Sequence, residues 1–215
     1  RVLSELLDGR WPALDPGGRW ITEMMRRGVV QAFITVAVDA LSLDGRIRDF
    51  LPPGDGHCGV AGAADRYARF VIEELKPLVD GSCRTRPGRE STATAGFSFG
   101  GVVSFFMGWD HAAWFGSVGS MSGAFWLPRF LARVRNEGPR DARVYIDSGE
   151  DNREANVTLR DALLAKSYVL ERNLRYLYRE HQEHLPEHFA TRLAPMLTFL
   201  FPGTVNDPPG SRPLP

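Results

Sequence analysis

The chain has 215 residues, of which 43% are hydrophobic and 24% charged, a composition typical of one globular domain with a sizeable core. Its 26 basic residues balance its 26 acidic residues, so net charge gives no reason to expect a nucleic acid or an anionic membrane as partner. The two cysteines, Cys58 and Cys83, indicate neither a disulfide framework nor a zinc site, and no apolar run approaches the roughly 20 residues of a membrane span.

Hydrophobic periodicity predicts strands that alternate with helices. A strand at residues 2–7 and a helix around residues 20–25 come first, and the β-branched run at residues 31–38 is typical of a parallel strand covered on both faces. Residues 39–62 lack periodicity and are rich in Gly, Pro and charge, which predicts a long loop of the kind that often borders a site. The next helix, over residues 64–75, is expected to stop at Pro77.

The same alternation continues to the end of the chain. Strands are predicted at residues 91–95, 115–120, 142–146 and 174–178, and helices at residues 99–109, 127–134, 154–165 and 186–200. This order implies an α/β fold, in which a mostly parallel sheet has helices on both faces and ligands bind at the carboxyl ends of the strands. We assign residues 1–201 to this domain, and residues 202–215, with their five prolines, to a loose tail.

Residues 94–102 place Ser98 between two glycines, at the end of one apolar run and the start of another. The pattern G-x-S-x-G is typical of a nucleophile elbow, where a strand turns into a helix and the serine takes a strained backbone conformation. Gly96 and Gly100 leave the room that side chains would fill. The five-residue pattern alone is weak evidence, but the predicted strand before it and the buried apolar helix after it are the context that a nucleophile requires.

A catalytic triad requires two partners for such a serine. A histidine must accept the hydroxyl proton, and a carboxylate must fix the tautomer of that histidine. Asp151 and His184 each follow a predicted strand, so Ser98, Asp151 and His184 are expected to converge at one edge of the sheet. The alternatives that stay open are Asp147 for the carboxylate, and His181 and His188 for the base.

The negative charge that develops on a substrate carbonyl oxygen needs N–H donors. The backbone N–H of Phe99, at the start of the predicted helix, is one candidate. The other is Arg10, in the loop after the first strand, where Gly9 permits the turn.

Aromatic residues near these positions have two interpretations. Trp11 and Trp126 are candidates to line a substrate pocket, as is Phe125, and all three are equally candidates for the core or its rim. His57 and His111 are expected to be solvated and without a functional role.

Five short motifs occur in order along most of the chain. They are Glu-Leu-Lys-Pro at residues 74–77, Arg-Thr at 84–85, Gly-Phe-Ser-Phe-Gly-Gly at 96–101, Asp147 with Gly149 and Asp151, and His184 with Phe189, Arg192 and Leu193. In this arrangement the sequence resembles the esterase D and enterochelin-esterase-like branch of the α/β-hydrolases. The resemblance implies the α/β-hydrolase three-layer sandwich with Ser98, Asp151 and His184 as its triad. The resemblance also supports the loop at residues 8–10 as the source of the second N–H donor, since related siderophore esterases carry a similar Leu-Asp-Gly turn.

Together these features predict a serine carboxylesterase that cleaves a small-molecule ester through an acyl-enzyme, with no cofactor and no metal. An acyltransferase of the mycolyl-transferase type stays open, as does a non-catalytic binding module. The family normally begins with strands ahead of the one at residues 2–7, so we expect N-terminal edge strands to be missing and residues 32–38 to lie at a sheet edge. A cytoplasmic location is expected, with neither nucleic acid nor membrane as partner.

Overall fold

The computed structural model describes residues 2–5, 19–38 and 42–204, and at residues 2–5 it describes the backbone alone. The strands of the main sheet are β1 Val2–Glu5, β2 Ile34–Ala37, β5 Thr92–Phe97, β6 Ser117–Met121, β7 Arg143–Ser148 and β8 Leu174–Tyr178. These six strands are all parallel and lie in the order β2-β1-β5-β6-β7-β8. A separate antiparallel hairpin is formed by β3 Gly56–His57 and β4 Val60–Ala61.

Helices cover both faces of the sheet. Their bounds are α1 Arg19–Arg26, α2 Leu43–Phe50, α3 Ala64–Phe70, α4 Lys76–Ser82, α5 Phe99–Asp110, α6 Pro128–Asn136, α7 Arg153–Leu164 and α8 Pro186–Leu200. Helices α1 and α8 pack into one apolar cluster, and α2, α3, α5, α6 and α7 pack into another. In β7, Val144 and Ile146 join one cluster and Tyr145 joins the other, because successive side chains of a strand point to opposite faces. The predicted three-layer α/β-hydrolase sandwich is confirmed.

Strand β2 lies at the edge of the sheet among the strands that the structure describes. It pairs with β1 alone, with Ile34 opposite Val2 and Ala37 opposite Glu5. Its side chains are half-buried at Ile34, Thr35 and Val36 and exposed at Ala37. The predicted edge position of this segment is therefore confirmed, whereas further strands ahead of residue 1 stay a prediction.

The expectation that a helix stops at Pro77 is wrong. Helix α3 continues through a π-helical turn at Val71–Leu75 into α4, so the chain remains helical to Ser82. In the widened turn, the N–H of Lys76 donates to the carbonyl oxygen of Val71, five residues earlier. Such a turn accommodates Pro77, which has no N–H to donate and whose ring would clash with the preceding turn of a regular helix.

The expectation of a loop over residues 39–62 is also wrong, because this segment contains α2 and the hairpin β3–β4. Helix α2 begins after Ser42, whose hydroxyl accepts a hydrogen bond from the N–H of Gly45 over 3.0 Å. The helix buries Ile47 and Phe50, although its other residues are mostly polar. With only two buried apolar residues in this helix and only two residues in each strand, the segment gives no clear periodic signal in the sequence.

Two further expectations concern membranes and the end of the chain. Within the described ranges, no helix combines the length and the apolarity that crossing a bilayer requires. Pro202, which the sequence analysis assigns to the tail, forms an isolated antiparallel β-bridge with Val30. Its carbonyl oxygen accepts a hydrogen bond from the Gln31 side chain over 2.7 Å. Residues 205–215 lie outside the described residues, and the domain boundary at residue 201 stays a prediction.

Candidate active site

Ser98 lies at the turn between β5 and α5, in the strand, turn and helix context that its motif predicts. Its backbone has φ 58° and ψ −127°, a conformation that is strained for a residue with a side chain. The Ser98 N–H donates to the carbonyl oxygen of Met121 over 3.0 Å, and its own carbonyl oxygen accepts from Val102. A Cβ at Gly96 would lie 2.6 Å from the backbone of Gly100, so this turn requires glycine. The fold thus holds the serine in the geometry of an elbow.

His184 and Asp151 form a short hydrogen bond at the carboxyl ends of the strands. The distance between His184 Nδ1 and Asp151 Oδ2 is 2.5 Å, and 41% of the histidine side chain is exposed against 14% of the aspartate. Burial by itself would raise the pKa of Asp151, but hydrogen bonds from His184 and Ser122 outweigh it and lower the pKa. The carboxylate therefore stays charged at neutral pH and engages Nδ1, which leaves Nε2 of the imidazole for a reacting group.

Two ring contacts connect His184 to Phe97, the last residue of β5. The edge of the His184 ring packs on Phe189, with the centroids 5.1 Å apart and the planes at 89°. Phe189 in turn stacks on Phe97, the residue before Ser98, at 4.4 Å. Among the described residues, no hydrogen bond joins the Ser98 hydroxyl to His184. Catalytic hydrogen bonds are often long before substrate binds, so this arrangement is compatible with a triad.

The two alternative histidines have other contacts, through the backbone in His181 and through the ring in His188. The backbone N–H of His181 donates to the Glu150 carboxylate over 3.1 Å. His188 lies inside α8, and its Nδ1 accepts a hydrogen bond from the backbone N–H of Glu183 over 2.7 Å. The geometry favours His184 over both, because His184 contacts the carboxylate of Asp151.

Asp147, the alternative carboxylate, belongs to a buried ion pair instead. Its Oδ1 lies 2.7 Å from Nη1 of Arg192, and both side chains have no exposed surface. Oδ2 accepts a hydrogen bond from the Tyr145 hydroxyl over 3.1 Å. Burial raises the pKa of Asp147 to about 7, although the nearby Arg192 guanidinium acts in the opposite direction. The carboxyl group of Asp147 therefore has partners of its own, and the geometry favours Asp151 as partner of the histidine.

Ser122 connects this buried ion pair to Asp151. Its hydroxyl donates to Asp151 Oδ1 over 3.2 Å and accepts from Arg192 Nη1 over 3.0 Å. Its backbone N–H donates to Asp147 Oδ1 over 3.0 Å. Sequence analysis assigns no role to Ser122. Its position directly after β6, at the carboxyl edge of the sheet, is the signal that indicates one.

Gly149 allows the loop that carries Asp151 to meet the loop that carries His184. A Cβ at this position would overlap the carbonyl oxygen of Gln182, and the N–H of Glu150 donates to that same oxygen over 2.7 Å. The distance between the acid and the histidine is therefore set by backbone packing between the two loops.

Of the other predicted site residues, three lie within the described ranges and three lie outside them. Phe99 is the first residue of α5, which puts its N–H at the positive end of that helix. Trp126 is 44% exposed and lines a cleft of about 660 Å³. Phe125 is buried and packs edge-on against Phe105, so it belongs largely to the core. The predicted residues that lie outside the described ranges are Gly9, Arg10 and Trp11.

His57, expected to be without a role, packs near the nucleophile. Its ring lies 5.0 Å from the Trp126 ring and 5.8 Å from the ring of Phe99, the residue after Ser98. The sequence could not show this, because the contact depends on a hairpin that the periodicity did not reveal.

Metal ligands are not grouped in the described part of the chain. No set of three or more His, Cys, Asp or Glu side chains there is placed to hold a metal ion. Cys58 and Cys83 are both free and exposed.

The sequence matches a known protein family. The sequence model of the family described as "Putative esterase" matches residues 6–200, which is most of the chain. The chain belongs to this esterase family. Among curated relatives, the Iron(III) enterobactin esterase of Escherichia coli is 29% identical over 129 residues, which cover 60% of this chain and 30% of the relative. The uncharacterized protein YbbA of Bacillus subtilis is 23% identical over 138 residues, covering 63% of this chain and 51% of that protein.

Solved structures of esterases share the fold. An enterobactin esterase from Shigella flexneri, solved with 2,3-dihydroxy-N-benzoyl-glycine, superposes with a TM-score of 0.75 at 23% identity, covering 93% of this chain and 52% of that chain. A ferulic acid esterase gives a TM-score of 0.73 at 19% identity, covering 93% of this chain and 84% of that chain. At these identities the likeness shows the fold, and this member of the esterase family spans about half the length of the Shigella enzyme.

Proposed function

We propose that this member of the esterase family is a serine carboxylesterase that hydrolyses a small-molecule ester through an acyl-enzyme. The observation that carries the proposal is the 2.5 Å hydrogen bond between His184 Nδ1 and Asp151 Oδ2, at the same edge of the sheet as the strained elbow of Ser98. Membership of the esterase family supports the reaction type, and the names of an enterobactin esterase and a ferulic acid esterase support a small-molecule ester as substrate.

In the proposed acylation step, Ser98 Oγ attacks the carbonyl carbon of the ester while its proton passes to His184 Nε2. Asp151 keeps the imidazole in the required tautomer and stabilises the imidazolium ion that forms. The oxyanion of the tetrahedral intermediate accepts hydrogen bonds from the N–H of Phe99 and from the loop at Gly9 and Arg10. Collapse of the intermediate breaks the ester C–O bond, and the leaving alcohol takes the proton from His184.

Deacylation repeats the same steps with water. His184 removes a proton from a water molecule, the hydroxide attacks the acyl carbonyl, and the Ser98 oxygen leaves with the proton from His184. The products are a carboxylic acid and the regenerated enzyme.

A fluorophosphonate probe tests the proposed nucleophile, because this reagent phosphonylates an activated serine. We expect the wild-type protein to be labelled and Ser98→Ala to remain unlabelled. The matched control is Ser104→Ala, which changes a buried serine in the helix that follows Ser98. Well-folded wild-type protein that is not labelled would favour a non-catalytic binding module. Acylated alcohol among the products, in place of free acid, would favour an acyltransferase.

A further inference from the structure

We propose that the hairpin β3–β4 forms one wall of the substrate pocket, where His57, Phe99 and Trp126 bind a planar aromatic group of the ester. We call these three residues the aromatic trio. The inference rests on the proposed function, because the trio lies against the substrate only if Ser98 is the nucleophile.

The trio is defined by mutual ring contacts beside the elbow. His57 contacts Trp126 at 5.0 Å and Phe99 at 5.8 Å between centroids, and Phe99 meets Trp126 in an edge-to-face arrangement at 6.0 Å. Phe99 directly follows Ser98 in the chain. A group bound against these rings is therefore attached to, or adjacent to, the carbonyl that Ser98 attacks.

The trio differs from a core cluster in its exposure. Trp126 is 44% exposed, His57 is exposed, and Phe99 is half-buried against the core. Trp126 also lines the cleft of about 660 Å³, whose wall includes Glu150 and Asn152 on either side of Asp151. The open aromatic surface thus meets this cleft at Trp126, and the cleft runs from there toward the loop that carries Asp151.

Asp55 fixes the hairpin to the segment that carries Trp126. The Asp55 side chain is buried, and its two carboxylate oxygens accept hydrogen bonds from the backbone N–H groups of Arg129 and Phe130, over 3.2 Å and 2.8 Å. These N–H groups lie in the first turn of α6, which begins two residues after Trp126. The Asp55 carbonyl oxygen also accepts from Gly62 over 2.8 Å, just beyond the hairpin.

The turn of the hairpin has a regular backbone conformation. Cys58 and Gly59 form a two-residue connection with φ values of 49° and 77°, and His57 pairs with Val60 across it. The backbone of His57 is therefore held in place before substrate arrives, which reduces the entropy lost on binding.

The chemistry of the trio selects a flat unsaturated group. Aromatic rings attract another ring through offset or edge-to-face contacts, and a saturated ring of similar size makes only dispersion contacts on the same surface. The alternative is that His57 merely covers Phe99 and makes no contact with substrate.

The test compares esters of matched size and reactivity. Ethyl phenylacetate is paired with ethyl cyclohexylacetate on the acyl side, and benzyl acetate with cyclohexylmethyl acetate on the alcohol side. For each pair, the ratio of kcat/KM for the aromatic ester to that for the saturated ester is measured in wild type, His57→Ala, His57→Phe and the control His111→Ala. His111 also contacts a phenylalanine ring, that of Phe106, but it is not one of the trio.

We expect His57→Ala to lower the aromatic-to-saturated ratio by about three- to tenfold for at least one pair, the size of one aromatic contact. His57→Phe should retain the ratio, and His111→Ala should not change it. Asp55→Ala should lower it as well, since the hairpin is then released from α6. The pair that responds identifies which side of the ester contacts the trio.

An unchanged ratio in His57→Ala for both pairs, with hydrolysis measurable, would overturn this inference and leave the proposed function standing. A ratio that falls equally in His57→Phe would also overturn it, because aromatic character would then not matter. Absence of both hydrolysis and fluorophosphonate labelling in wild type would instead overturn the proposed function, and this inference with it.

Discussion

The guanidinium of Arg192 and the carboxylate of Asp147 are 2.7 Å apart, and neither side chain has any exposed surface. Ser122 links this pair to the aspartate that contacts His184. A buried pair of this kind adds little stability as a unit, since desolvation offsets the attraction, but removing one partner leaves the other uncompensated.

The two halves of this pair are expected to respond differently to substitution. Asp147→Asn leaves the Arg192 charge buried, and we expect the free energy of unfolding to fall by about 3–5 kcal/mol. Arg192→Met should lower the free energy of unfolding by less. The pKa of Asp147 is already raised to about 7, so its carboxylate can bind a proton and lose its charge. Urea unfolding measures both values, and Glu23→Gln, in the exposed pair with Arg26, is the control for losing a surface ion pair. Equal losses in the two variants would contradict this account.

Ser122 is expected to position Asp151 without contacting substrate. Ser122→Ala removes the hydrogen bond to Asp151 and the acceptor of Arg192, so kcat should fall by roughly tenfold with KM little changed. Asp151→Asn should lower kcat further, by up to about 10⁴-fold, as the loss of the aspartate does in other triads. Ser120→Ala is a matched control, since the buried Ser120 hydroxyl lacks a hydrogen-bond partner within the described residues. The measurement is steady-state kinetics on one ester, and equal effects of the two serine variants would exclude the positioning role.

The contact between the acid and histidine loops should depend on Gly149. Gly149→Ala would force the carbonyl of Gln182 away and move His184 from Asp151, so we expect a loss of kcat of at least about tenfold with an overpacking cost of about 1–3 kcal/mol. Gly138→Ala is the control, since a Cβ there meets nothing within 4 Å. Full activity in Gly149→Ala would show that the loops adjust without consequence for the site.

The lowered pKa of Asp151 makes a prediction about acid unfolding. A carboxyl group whose pKa is lower in the folded state stabilises the fold above its unfolded value, about 3.9, and this contribution is lost as pH falls through the folded value. The stability difference between wild type and Asp151→Asn should therefore shrink as pH falls from about 5 to 3. Denaturant titrations across this range provide the measurement. A difference that stays constant with pH would mean that the pKa of Asp151 is not lowered by folding.

Local sequence patterns predicted the elements around Ser98 and in α8 well. The elbow requires only a short glycine pattern between two apolar runs, and the face of α8 repeats Phe189, Leu193 and Leu197 at helical spacing, all three of which are buried. Patterns of this kind lie within one element, so they can be recognised in the sequence without knowledge of tertiary contacts.

The rest of the site depends on contacts between distant segments. Arg192 meets Asp147 from 45 positions away, and Ser122 lies 70 positions from Arg192, which no local periodicity encodes. His57 reaches Trp126 through a hairpin whose strands have two residues each. At Pro77, a π-helical turn carries the helix past a residue that normally ends one, and no local pattern in the sequence indicates that turn.

The most direct measurement of the central claim is detection of the acyl-enzyme. The protein is mixed with a p-nitrophenyl ester, quenched with acid within the burst, and analysed by mass spectrometry as intact protein and as peptides. We expect a mass increase of one acyl group, located on the peptide that carries Ser98, and no such increase in Ser98→Ala. An acyl group on another residue, or hydrolysis by Ser98→Ala at the wild-type rate, would contradict the assignment of Ser98 as the nucleophile.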